Sequence, residues 1–146
     1  MNAPTLKERL QQDLVTARKA RDSARTLLLS TTLSEIKNAE IDKGGALGED
    51  ELLQVLTRAV KRRREAADSM REARPELAAK EEREAEALQV YMPAALDEAA
   101  VREMVRAAIA GGAADLGAVM GQVMPRLRGR FDGKEANRIV REELGA

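Results

Sequence analysis

The sequence predicts an all-α protein, with an N-terminal helical domain of about four helices followed by a small three-helix domain. Three observations carry that prediction. Leu, Ala, Glu, Arg and Lys dominate, and all are good helix formers, whereas the aromatic residues that build strands make up only 1% of the chain. Apolar residues recur at intervals of three and four, the spacing of one helix face. Acidic and hydroxyl residues stand where helices begin, and glycine or proline where they end. A length of 146 residues suits one domain or two small ones.

Thr5 and Glu8 form a capping box, in which the hydroxyl accepts from an early backbone N–H and the carboxylate reaches back. The first helix is expected from about Leu6 to Ala20, with Leu6, Leu10, Leu14 and Ala17 as its apolar stripe. After a break near Asp22, a second helix is expected to bury Leu27, Leu28, Thr31, Ile36 and Ile41. Gly44 and Gly45 supply the left-handed backbone that stops it. A long third helix, Glu49 to Ala73, opens on Glu49, Asp50 and Glu51, where the positive end of the helix dipole favours anions. Its stripe is Leu52, Leu56, Ala59, Val60, Ala67 and Met70. Pro75 suits the first turn of a fourth helix, which runs to Tyr91 and ends before Pro93. Pro93 divides the domains, 1–92 and 93–146. Beyond it, Asp97 caps a helix from Glu98 to Ala110, stopped by Gly111 and Gly112, and Asp115 caps one from Leu116 to Leu127. Asp132 and Glu135 read as a capping box for a last helix, Gly133 to Leu144.

The chain carries 25 basic and 25 acidic residues, so no global field draws it to nucleic acid or an anionic membrane. Any such binding must come from a local patch. The lack of Cys excludes disulfides and thiolate metal sites, and the lack of His removes the commonest general base and metal ligand. With no signal peptide read and no apolar run of spanning length, the expected location is cytoplasmic, without a membrane partner. No catalytic residue, metal ligand or cofactor is assigned. The Ser residues have no histidine to activate them, a GxxxxGK[ST] loop is missing, and Tyr91 and Phe131 alone make a poor base-stacking platform.

Two charged runs face each other in prospect. Arg58, Lys61, Arg62, Arg63 and Arg64 lie on the third helix, and Glu76, Glu81, Glu82, Glu84 and Glu86 on the fourth. If these helices pair antiparallel about Pro75, Arg63 and Arg64 come level with Glu84 to Glu86. An interhelical ion-pair network that sets register is expected, in preference to a polyanion site. Glu81 and Glu84 fall on a line with Leu77, Leu88 and Tyr91.

The stretch from Gly117 to Gly133 is of another kind. Gly117 and Gly121 share a helix face and would let another backbone approach. Pro125 crowds the carbonyl of residue 121, where glycine leaves room to tilt. Met120 and Met124 are expected in the core. Arg126, Arg128 and Arg130 then surround Gly129, and Lys134 follows Gly133. From Val123 to Arg141 there are six basic and two acidic residues, beside a helix N-terminus that favours phosphate. The same residues also suit a tight helix–turn–helix with merely solvated arginines.

Met120-Gly-Gln-Val-Met124, followed by Arg128-Gly-Arg130 and Asp132-Gly133, resembles the C-terminal signature of the GatB/YqeY family. Arg25-Thr-Leu-Leu-Leu-Ser30 and Glu35-Ile-Lys-Asn-Ala-Glu40 are similar to its second helix, and Val60-Lys-Arg-Arg-Arg-Glu65 to its third. Glu81-x-x-Glu84 with Leu88-x-x-Tyr91-Met-Pro93 is similar to the approach to its tail domain. Met92 replaces a usual Leu, and Phe131 stands where a small residue is common, either stacking on a nucleotide or packing. The resemblance implies a tail like that of the B subunit of tRNA-dependent Asp/Glu amidotransferases, which engages the tRNA body. The family-level label is carbon–nitrogen ligase activity with glutamine as amido-N-donor. The expectation for this chain is a tRNA-associated binding or accessory module, with Arg126, Arg128, Gly129, Arg130, Gly133, Lys134 and Arg138 at the RNA. The implied partners are tRNA and an aminoacyl-tRNA synthetase or amidotransferase component. A helical protein–protein adaptor without RNA binding is the alternative.

Overall fold

The computed structural model describes residues 3–145, and those residues form seven α-helices and no strands. They divide into two compact units between Tyr91 and Met92.

The first unit is two helical hairpins. α1 (Leu6–Lys19) opens on the Thr5 capping box, where the Thr5 hydroxyl accepts from Glu8 N at 3.1 Å. It buries Leu6, Leu10, Leu14 and Ala17, the stripe read from spacing. The corner to α2 (Ser23–Lys43) is a Schellman motif built without glycine. Asp22 N–H donates to Ala17 O and Arg21 N–H to Arg18 O, while Arg21 holds φ at 57°. A left-handed residue with a Cβ costs about 1–2 kcal/mol. The Asp22 carboxylate at once caps α2, accepting from Arg25 N at 3.1 Å. Lys7 and Glu40 close the far end of the hairpin at 2.9 Å.

α2 is rotated from the expected face. It buries Leu28, Leu29, Thr32 and Ile36, while Leu27 and Ile41 are 66% and 67% exposed and Thr31 is exposed. Its apolar residues run almost all round, so spacing alone does not select a side; packing against α1 does. Ile41 lies in the last turn of a helix of 21 residues, against 14 in α1.

α3 (Glu49–Met70) and α4 (Pro75–Gln89) form the second hairpin, each ending earlier than expected. Gly48 N–H donates to Glu51 Oε1 at 3.0 Å, and Lys43 holds the same carboxylate. α3 buries Leu52, Val55, Leu56, Ala59, Val60 and Ala67. α4 faces it with Ala78, Ala85 and Leu88; Leu88 and Tyr91 of the expected line are buried, but Ala78 packs in place of Leu77, which is 41% exposed. Alanine at 78 and 85 lets the two backbones close up, where leucine would hold them apart. The interhelical ion pair is present: Arg63, with only 11% of its side chain exposed, donates to Glu84 at 3.2 Å and to Ala59 O at 3.0 Å. Arg64 reaches Gln89 rather than a glutamate, and Arg62 turns to Glu35 on α2 at 2.9 Å.

Tyr91 follows α4 and joins three helices. Its ring is 4% exposed, with the Arg9 guanidinium 5.3 Å from its centre. Its hydroxyl donates to Asp13 and accepts from Arg25 at 3.2 Å. Burial, and then the Asp13 hydrogen bond, push its ionisation up to about 12.

The second unit packs α5 (Glu98–Ala110), α6 (Leu116–Leu127) and α7 (Gly133–Glu143) around one core. α5 and α6 keep their expected bounds, each with an aspartate N-cap. Val101, Val105, Val119, Val123, Leu127, Ile139 and Val140 fill the centre. Met120, Met124 and Phe131 pack against that core, each partly buried.

Candidate nucleic-acid interface

The Gly117/Gly121 face of α6 does not serve close packing. Both glycines are exposed, a Cβ at 121 would meet nothing within 4 Å, and one at 117 only Asp115 of its own cap. The buried side of α6 is Val119, Val123 and Leu127, on the opposite face. Solvent exposure explains Pro125 as well: the 121 carbonyl that loses its helical donor lies on the wet side, where water can take the donor's place.

The turn after α6 is built from the backbone. Leu127 O accepts from Arg130 N at 2.8 Å and from Phe131 N at 3.0 Å. Arg128 has φ −57° and ψ 126°, and Gly129 has φ 73°, the pattern of a type II turn that needs glycine at its third position. Arg130 is used structurally: its Nε donates to Ala94 O at 2.9 Å, and its own carbonyl accepts from Leu96 N at 2.9 Å. The chain before α5 is thereby clasped to the turn. Sequence reasoning missed this clasp, because Ala94 and Leu96 engage through backbone atoms and leave no side-chain signature.

At α7 the Asp132 carboxylate accepts from Lys134 N at 3.4 Å, and the expected capping box does not form. Glu135 accepts from Arg138 instead. Gly133 is partly buried, and a Cβ there would make ordinary contact with Met124 Cε at 3.7 Å. Close backbone approach is thus not what its missing side chain supplies within the unit.

The seven expected RNA-facing residues are not one group. Arg138 sits in an ion-pair network on α5 and α7, bonded to Glu135, Glu98 and Glu142. Arg102 joins Glu98, Glu142 and Glu143, and Arg106 adds to Glu143. The Arg138 hydrogen bond holds Glu98 below the ordinary carboxylate range, Arg102 does the same for Glu142, and Arg106 for Glu143. The two bridging guanidiniums are pushed up in turn. Arg126, Arg128 and Lys134 remain exposed around the turn, and among the described residues no carboxylate pairs with Arg126 or Lys134. Arg126 lies in the last turn of α6, and Lys134 in the first turn of α7, at the positive end of that helix.

Both signs of charge also meet between two helices of the first unit. A cavity of about 510 Å³ between α2 and α3 is lined by Glu35, Asp42 and Glu65 against Arg58, Lys61 and Arg62. Among the described residues no group of three or more acidic side chains could hold a metal ion, and no helix is long and apolar enough to cross a membrane.

Fold and site define a two-unit, all-helical protein in which Arg126 and Lys134, exposed and without a carboxylate among the described residues, stand on either side of one tight turn of the second unit. The family follows from comparison with known proteins: the chain belongs to the YqeY-like family, whose model matches residues 7–144. No curated protein matches it.

Proposed function

We propose that the second unit is a tRNA-contacting module that binds the phosphate backbone through the α6–α7 turn. The observation that carries the reading is the division of its cations. Arg102, Arg106 and Arg138 are neutralised on the α5/α7 face, while Arg126 and Lys134 flank the turn without a carboxylate. Arg128 projects from the turn itself. Phosphate contacts of this kind fix orientation without reading sequence, so the module reads RNA shape. The likeness of this turn to the amidotransferase tail supports tRNA as the partner. Phe131, partly buried against the core, is not called on for base stacking in this reading.

The chain then acts beside amidotransfer, as an accessory, and not at its chemistry. Glutamine- and ATP-dependent conversion of Glu-tRNA by the purified chain alone would overturn that placement. The binding itself is tested by titrating labelled tRNA across a range of salt. Arg126→Ala and Lys134→Ala should each lower the salt slope by about 1, and Arg138→Ala should leave it unchanged. The reading fails if no tRNA binds at low salt, or if a partner retained after nuclease treatment accounts for all association.

A further inference from the structure

We propose that the α1–α2 corner is a docking surface for an acidic, amphipathic segment of a protein partner. Arg18 and Lys19 end α1, and Arg21 holds the left-handed corner. No carboxylate pairs with any of the three among the described residues. Arg63, Lys7 and Arg62 of the same unit, by contrast, each hold a carboxylate on another helix. Glycine would take the position of Arg21 without strain. Arginine there keeps a cation at the corner against the backbone's preference.

Beside these cations is an open depression of about 410 Å³ lined by Arg18, Arg21, Ser23, Thr26, Leu27 and Ser30. Leu27 is two-thirds exposed at its edge. From Thr26 to Ser34 the chain has no charged residue, in a protein that is 34% charged. The surface thus offers an uncharged strip with an apolar anchor, bounded at one end by three cations. Its complement is a helical segment that sets a leucine-type side chain on Leu27 and carboxylates against Arg18, Lys19 and Arg21. A nucleic acid would use the cations and waste the apolar strip, and Tyr91, the unit's one aromatic residue, is buried and cannot stack on a base. This surface shares no residue with the basic turn of the second unit, so either site can fail alone.

The test uses the full chain and a fluorescent synthetic helix with leucines at i, i+3, i+4 and i+7 and glutamates on its flanks. A glutamine analogue and a single-stranded oligouridine are the comparison probes. Wild type should bind the glutamate peptide several-fold more tightly than the glutamine analogue. Arg21→Gly should bind the peptide about threefold more weakly while melting higher, which separates binding from folding. Leu27→Ser should weaken binding about tenfold at unchanged melting temperature. Oligouridine should not displace the peptide. Failure of the peptide to bind, equal affinity for wild type and both variants, or displacement by oligouridine overturns the proposal. Self-association abolished by Leu27→Ser would assign the surface to a second copy and overturn it equally.

Discussion

Replacing Tyr91 with Phe removes one oxygen from a buried ring and keeps its outline. The ring packing survives, including the Arg9 guanidinium over its face. What is lost is the bond donated to Asp13 and the bond accepted from Arg25. Hydrogen bonds to charged groups contribute about 1.5–3 kcal/mol when both partners are dry. Here Asp13 and Arg25 keep 41% and 39% of their side-chain surface in water and lie 3.8 Å from one another. Both are rehydrated and still paired after the change, so the net cost falls to about 1 kcal/mol. In a unit of this size that lowers the midpoint by about 4–8 °C. The pH dependence has a definite sign. The phenol ionises near 10.0 when unperturbed and at about 12 in the folded chain. Its contribution is therefore full below pH 10 and is lost as pH rises toward 12, where a tyrosinate would face Asp13. Thermal denaturation of wild type and Tyr91→Phe at neutral pH and through the alkaline range measures both effects. Because the chain has a single tyrosine and no tryptophan, tyrosinate absorbance reports this residue directly. A stability gap that stays constant with rising pH, or a tyrosinate signal that appears at the ordinary value in folded protein, would refute the reasoning.

Two further outcomes concern the second unit. Gly129→Ala places a Cβ at φ 73° in the type II turn and should cost about 1–2 kcal/mol in chemical denaturation, with tRNA affinity falling only as far as the turn loosens. The Glu98, Glu142 and Glu143 carboxyls are held low by their arginines, so their stabilisation is present above the ordinary carboxylate value and lost as pH falls through the lowered folded values. Melting followed from neutral pH into acid should show that loss, blunted in Glu143→Gln and in high salt; an acid profile identical in the variant would count against the network.

Much of the fold is written locally. The α1 stripe and the bounds of α5 and α6 follow from caps, stops and spacing that each lie within one element. The faces of α2 and α4 do not. Thr26 to Leu33 offers apolar side chains on several sides, and hydrophobicity ranks Leu77 above Ala78, although the smaller side chain is the one a close helix pair can bury. The candidate site divides in the same way. The cations around Gly129 are visible in the sequence, and so is the glycine its turn requires. That Arg138 is neutralised is not visible, because Glu98 lies 40 positions away and is brought alongside only when α5 packs on α7.

The corner between α1 and α2 has a consequence for anyone who would cut or extend this chain. Asp22 ends one helix with its amide and begins the next with its carboxylate, so the two helices have no slack residue between them. One added residue there would turn α2 by about 100° relative to α1. Leu28, Leu29 and Ile36 would swing away from the face they now fill, and the hairpin would have to be repacked. The link after α2 is built differently, with Gly44 and Gly45 exposed and a Cβ at either meeting nothing within 4 Å. An inserted epitope, a permuted terminus or a spectroscopic label belongs in that glycine link, and the first corner should be left at its native length.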